Sequence, residues 1–372
     1  RTKTRSRSRR SDDDRAADIL FQTADPTWQA YNRYGGASLY TGSPTDRWDS
    51  PSRARKVSYN RPFTTRGDDA GRSFLFSNEY PTLRFLERNG YDVAYAAGVD
   101  VDRFGGVLTR HHVFLSVGHD EYWSYDQRRH VEAALAAGVH LVFLSGNDVY
   151  WRTRFERSID GRGTTHRTLV CYKETWDNAS TDPSGRSTAT WRDPRFVSTD
   201  TDSGPENGLT GTLCMANDTD LPVTVTAAQG RLRLWRATGL ASMRAVSTAL
   251  APHTVGYESD EDVDNGFRPA GLIHLSTTKG PSAAQLIDFG SRTMAAETTH
   301  HVTLHRAPSG ALVFDVGTIQ WGWGLDRHHD GTHGAADSRM QQAVVNMLAD
   351  MNIQPATLVP GLFAATASAE RQ

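Results

Sequence analysis

The stretch HVFLSVGHDEYWSYDQRRHVEAALAAGVHLVFLSGNDVYW, residues 112–151, decides how the fold is read. His112-Val113-Phe114-Leu115-Ser116-Val117 is a nearly unbroken apolar run of strand length that stops at Gly118. Asp126 to Ala137 then reads as a helix with Asp at its N-cap and Gly138 at its end. His140 to Leu144 is a second apolar strand. Two strands that do not alternate with polar residues, joined by a helix, belong to a parallel sheet covered on both faces.

Upstream, Asp18 to Gln22 is a short buried strand, Asn78 to Asn89 a helix stopped by Gly90, and Val93 to Ala96 another strand. Downstream the texture changes near residue 175. Asp, Ser, Thr and Gly dominate 177–208, and strand-like pieces follow at 223–226, 231–235, 271–276, 285–289, 301–305 and 311–316. A last helix is expected over 336–351. The expected architecture is α/β, with a mainly parallel sheet, a long insertion, and mixed or antiparallel strands in the second half. Residues 1–15 read as a disordered basic tail, 16–356 as one domain with 177–270 a variable excursion, and 357–372 as a flexible C-terminal tail.

Charge and composition exclude several function classes. No run approaches the roughly 18 apolar residues of a membrane helix. Residues 1–10 (RTKTRSRSRR) hold six of the 41 Lys and Arg, leaving 35 basic against 43 acidic residues, a net charge of −8 on the rest. A body of that sign has no generic attraction for nucleic acid. The basic stretch lacks the apolar core of a signal peptide. Two cysteines, Cys171 and Cys214, cannot make a disulfide framework or a Cys-rich zinc site, and they fit a reducing compartment, which slightly favours the cytoplasm over export.

The chemistry is signalled by an internal echo. One strand ends FLSVGHDEYW (Phe114 to Trp123) and its neighbour ends FLSGNDVYW (Phe143 to Trp151). Ligands of open parallel sheets bind beyond the carboxyl ends of the strands, so these loops should aim His119, Asp120, Glu121 and Asn147 into one crevice. His119 and Glu121 flank one residue and can point the same way on an extended turn, which suits a metal ligand beside a base, or an acid–base pair. Cys171 is a weaker candidate, since it lacks a tight elbow of small residues and buried cysteines are mostly inert. His300-His301 and His328-His329 have the look of a metal site, but adjacent histidines on a strand point to opposite faces and 328–334 reads as a loop, so they are expected at the surface or supporting other side chains. Residues 260–266 (DEDVDNG) have a calcium-like look without the EF-hand spacing or its terminal Glu, so a solvated acidic loop is expected.

Four spaced segments carry a family resemblance: TWQAYNRYGGASLY (Thr27 to Tyr40), VGHDEYWS (Val117 to Ser124), SGNDVYWRTRFE (Ser145 to Glu156) and GTIQWGWGLD (Gly317 to Asp326). Together they resemble the C-terminal catalytic domain of the large (beta) subunit of N,N-dimethylformamidase, over roughly residues 16–355. The resemblance implies a sheet of the class I glutamine-amidotransferase-like (flavodoxin-like) type. It also implies one ferric ion held by two tyrosines and a glutamate. Tyr40 matches one tyrosine ligand and Glu121 the carboxylate, while His119 and Asn147 match residues beside the metal and Lys173 a lysine near it. The family's second tyrosine lies upstream of the YGGASLY segment, where this chain has its basic stretch. Tyr31 and Tyr34 are close by, and packing is their default role.

The reading this supports is metal-dependent hydrolysis of a small amide to a carboxylate and an amine, with self-association or a small partner subunit implied by the family. In it His119 orients or deprotonates water and Asn147 donates to the oxyanion. The alternative is a binding domain without catalysis, whose aromatic residues (Trp28, Tyr31, Tyr122, Trp123, Tyr150, Trp151, Trp321, Trp323) stack on a sugar or another planar ligand.

Overall fold

A computed structural model describes residues 15–43, 45–46, 51–63, 73–196, 204–331 and 334–366. Most of the basic N-terminal stretch therefore lies outside the described residues.

Seven strands form the main sheet, in the order Ile273–His274, Thr303–Arg306, Leu312–Asp315, His140–Gly146, Val113–His119, Ile19–Thr23 and Val93–Ala97. The last five are parallel to one another, and the first two add in antiparallel fashion. Every residue of Val113–His119 is buried. Val113, Leu115 and Val117 pack toward the helix Ser338–Asp350, while Phe114 and Phe143 face the helix Tyr125–Ala136 through Val131 and Ala134. Each such side chain contributes about 1.5–3 kcal/mol by leaving water. The absence of alternation in these strands is thus the mark of two covered faces.

Boundaries differ from the sequence reading in three places. The N-cap of the helix after His119 is Ser124, not Asp126: its hydroxyl accepts from Gln127 N, and the Gln127 side chain reaches back in a capping box. The helix expected over 78–89 is two, Leu75–Asn78 and Tyr80–Arg88, because Pro81 has no N–H to give and belongs in a first turn. Residues 231–235 make 3₁₀ turns, not a strand, where Arg233 and Arg236 bond Asp350 and the Trp235 indole donates to Leu275 O.

Two smaller sheets frame the carboxyl end of the main one. Tyr122–Ser124 pairs in parallel with Trp151–Glu156, so the two echoed segments lie side by side, with Tyr122 opposite Trp151. The loops are stitched together by Val149 N donating to Asp120 O and by Tyr150 N and Trp151 N donating to Glu121 O. A closed antiparallel barrel of Leu213–Leu221, Val255–Glu261, Thr278–Ile287 and Arg292–His300 takes its first two strands from the region 177–270 read as an excursion. Beyond the last helix, residues 357–366 run back along it, with Phe363 N donating to Gln342 and Gln354 to Ala365 O. Among the described residues no helix is long and apolar enough to cross a membrane.

Gly146 closes the strand that leads to Asn147. A Cβ there would sit 2.6 Å from the backbone Cα and C of Thr318, inside contact distance. Gly146→Ala is therefore expected to cost about 2 kcal/mol or more. Chemical denaturation checks this, and an unchanged midpoint would mean that the Thr318 turn yields freely.

Candidate active site

A cavity of about 500 Å³ opens where the strands Val113–His119 and His140–Gly146 end, and the barrel covers it from the other side. Its polar wall includes Tyr31, Tyr40, Glu121, Asn147, Tyr257 and Glu258. The Tyr40 hydroxyl donates to Glu121 Oε1 at 2.5 Å. Glu121 Oε2 is buried, accepts no hydrogen bond, and lies 3.3 Å from His119 Nε2. The same ring nitrogen is 3.0 Å from Glu258 Oε2. Asn147 Nδ2 donates to that Glu258 oxygen at 2.8 Å and faces His119 Nε2 at 3.4 Å, while Asn217 donates to Glu258 Oε1. On the far side of the imidazole, Nδ1 lies 3.2 Å from the Tyr257 hydroxyl.

Local backbone explains these positions. His119 and Glu121 converge, as i and i+2 do on an extended turn. Asp120 points the other way, accepting from Gln22 Nε2 and Ser116 Oγ, so its expected place in the crevice is corrected. Asn147 sits at φ 50°, a left-handed conformation that Asn adopts more readily than most residues. Tyr257 and Glu258 are consecutive, yet both face the cavity. Pairing with the neighbouring strand shifts register between them, and such a bulge re-aims a side chain.

The electrostatics follow from burial and neighbours. Burial pulls the His119 imidazolium down, but the Glu258 and Glu121 carboxylates outweigh it and push His119 up to about 10. Burial raises the Glu121 carboxyl, yet His119, Lys173 and the Tyr40 hydroxyl hold it below the usual glutamate value. Burial, then the Glu121 charge, keep the Tyr40 phenol protonated well above its ordinary range.

A family model for N,N-dimethylformamidase beta subunit-like, C-terminal, matches residues 9–334. The chain belongs to that family. No curated protein matches it in sequence.

Within this dimethylformamidase-like chain the other sequence candidates separate clearly. Lys173 is fully buried behind Tyr40, its Nζ 3.6 Å from the centre of that ring, and it donates to the Tyr122 hydroxyl at 2.5 Å. Trp151 and Trp176 complete an aromatic cage around the ammonium. Cys171 is buried with its thiol pushed up to about 12 by desolvation, which makes it a poor nucleophile. His301 stacks on His274, His328 bonds Asp326, and His329 stacks on Trp323, so neither histidine pair joins the site. Of the expected aromatic lining, Tyr31, Tyr150 and Trp151 reach the cavity. Trp28 bonds Glu79, Trp323 bonds Ser77 O, and Trp123 and Trp321 are packed in the core. Tyr34 is 47% exposed.

Residues missed from sequence include Glu258, Tyr257 and Trp176. The strand VGYESDE (255–261) is polar from Glu258 onward and carries no alternation that would mark it as buried.

His300, buried with Nε2 at 2.8 Å from Val316 O, has its pKa lowered to about 4 by desolvation. The unfolded chain gains this proton below about pH 6.5 and the folded one only near 4, so stability is lost as pH falls through that window. Between pH 7.5 and 5 wild type should lose about 2 kcal/mol more than His300→Gln. Denaturant titrations at both pH values test this, and equal losses would contradict it.

Proposed function

We propose that this chain hydrolyses a small amide C–N bond, as its family name implies, and that it does so at a single ferric ion. The observation that carries the reading is the convergence of Tyr40, Glu121, Glu258 and Asn147 on one cavity, with His119 bridging the two glutamates behind its wall. The donor set fits the metal: phenol and carboxylate are hard oxygen donors, and Glu121 Oε2 is a buried atom that accepts no hydrogen bond within normal geometry, with the His119 ring 3.3 Å away. Tyr40 and Glu121 would hold it. Tyr31, whose ring lies 4.4 Å from that of Tyr40 on the same cavity wall, is the phenol we assign as the third donor. Bound iron supplies Lewis acidity toward the amide carbonyl and acidifies water.

The remaining residues handle protons and orientation. Glu258 is placed to accept a proton from the attacking water, and His119, between two carboxylates, to pass one to the departing nitrogen. The hydroxyl adds to the acyl carbon, the C–N bond breaks, and carboxylate and amine leave. Asn147 has a second N–H besides the one given to Glu258, and it suits the developing oxyanion. Lys173 acts through Tyr40 as a positioning residue.

The strand order of the parallel part, second-first-third-fourth-fifth in chain order, supports a flavodoxin-like, glutamine-amidotransferase-like sheet. The family name also supports a companion subunit. A stacking site without catalysis has no use for three buried charged groups, which argues against the binding-only reading.

The test is incubation of iron-loaded protein with N,N-dimethylformamide and a panel of small formamides and acetamides. Equimolar amine and carboxylate are expected. A tryptophan-fluorescence response to a ligand with no product from any amide would overturn the enzymatic reading.

A further inference from the structure

The geometry points to a second cation site, for calcium, formed by Asp148, Asp260 and Asp315 behind the active-site wall. These three carboxylates come from three segments: the loop after His140–Gly146, the barrel strand Val255–Glu261, and the end of Leu312–Asp315. Each offers an oxygen within 4.8 Å of the other two, and all three residues are at most 1% exposed. None of them lines the cavity. Residues 260–266 were expected to be a solvated loop, so the burial of Asp260 is a correction as well as a clue.

Asp148 is the independent pointer to a ligand. It is aimed into the cluster, and neither of its oxygens accepts a hydrogen bond, with only the nearby Ser145 hydroxyl easing its charge. Its partners are anchored. Asp260 Oδ1 accepts from Asn147 N at 2.9 Å, and Asp315 accepts from Gly317 N and from the Thr212 hydroxyl. Among the described residues none of the three has an ion-pair partner. The guanidinium of Arg192, which acts on Asp260 from a distance, is itself paired with Glu206.

Three carboxylates in a dry interior need positive charge, either protons or a cation. No hydrogen bond joins Asp148 to Asp260 or Asp315, so a proton shared among the three carboxylates would lack the close contact that holds one. Hard carboxylate oxygens, one converging from each residue in a buried interior, suit Ca²⁺, which takes most of its ligands from protein, whereas Mg²⁺ prefers to keep several waters. Such an ion would fix the 147–149 loop, where Asn147 and Val149 both have positive φ on either side of Asp148. Its role would be to hold Asn147 in place, independently of the iron reading.

The test uses the full chain, stripped with EGTA and dialysed against Ca²⁺, with metal content and melting temperature as readouts. One retained Ca²⁺ per chain is expected, with a rise in melting temperature of about 5 °C at saturation. Asp148→Asn should lose both while keeping the iron content of wild type, and Asp315→Asn serves in its place if that variant does not fold. Absence of retained Ca²⁺ in wild type, with no change in melting temperature, overturns the proposal in favour of shared protons. A variant that binds Ca²⁺ like wild type also overturns it. Equal stoichiometry with Mg²⁺ overturns the choice of calcium.

Discussion

Glu121→Ala is expected to purify without iron and to lose amide hydrolysis by at least about 10³-fold in kcat/KM. Glu121 touches both Tyr40 and His119. Removing it takes away the carboxylate that accepts from the Tyr40 hydroxyl, whose proton burial already holds on. Losing this buried hydrogen bond costs about 1–3 kcal/mol of stability. His119 keeps Glu258 as a partner, so its charge remains paired. A melting curve shows whether the variant is folded, and elemental analysis reads the metal directly. Unchanged iron content in folded Glu121→Ala would remove Glu121 from the ligand set.

Glu258→Gln separates proton transfer from metal binding. The amide is nearly isosteric and can keep one hydrogen bond with Asn147 or Asn217, so the cavity should hold its shape. What it loses is the ability to accept a proton. The expected result is a fall in kcat of about 10²–10⁴-fold with iron content intact. Steady-state kinetics on metal-quantified protein check it, and activity within a few-fold of wild type would take the proton-accepting role away from Glu258.

How much of this was legible in the sequence depended on the kind of signal each residue sends. The strands Val113–His119 and His140–Gly146 announced themselves because unbroken apolar runs cannot be exposed on either face. Their loops followed from strand-end geometry: Glu121 and Asn147 line the cavity there, and His119 lies behind them against Glu121. Asp120 did not follow, because alternation about an extended turn sends it toward Gln22 instead. Tyr40 sits in an irregular segment whose place beside Glu121 depends on tertiary packing, and only family resemblance singled it out. Glu258 had no linear signal at all, since a register shift in a polar barrel strand aims it at His119. Asp260 looked like surface for the same reason.

The most direct test of the central claim is elemental analysis of the purified protein together with its visible absorption spectrum, for wild type and Tyr40→Phe. Near-stoichiometric iron with a broad tyrosinate-to-iron charge-transfer band is predicted, and that band should weaken in Tyr40→Phe. A colourless, metal-free wild-type protein, even after refolding with iron, would contradict an iron centre at Tyr40 and Glu121.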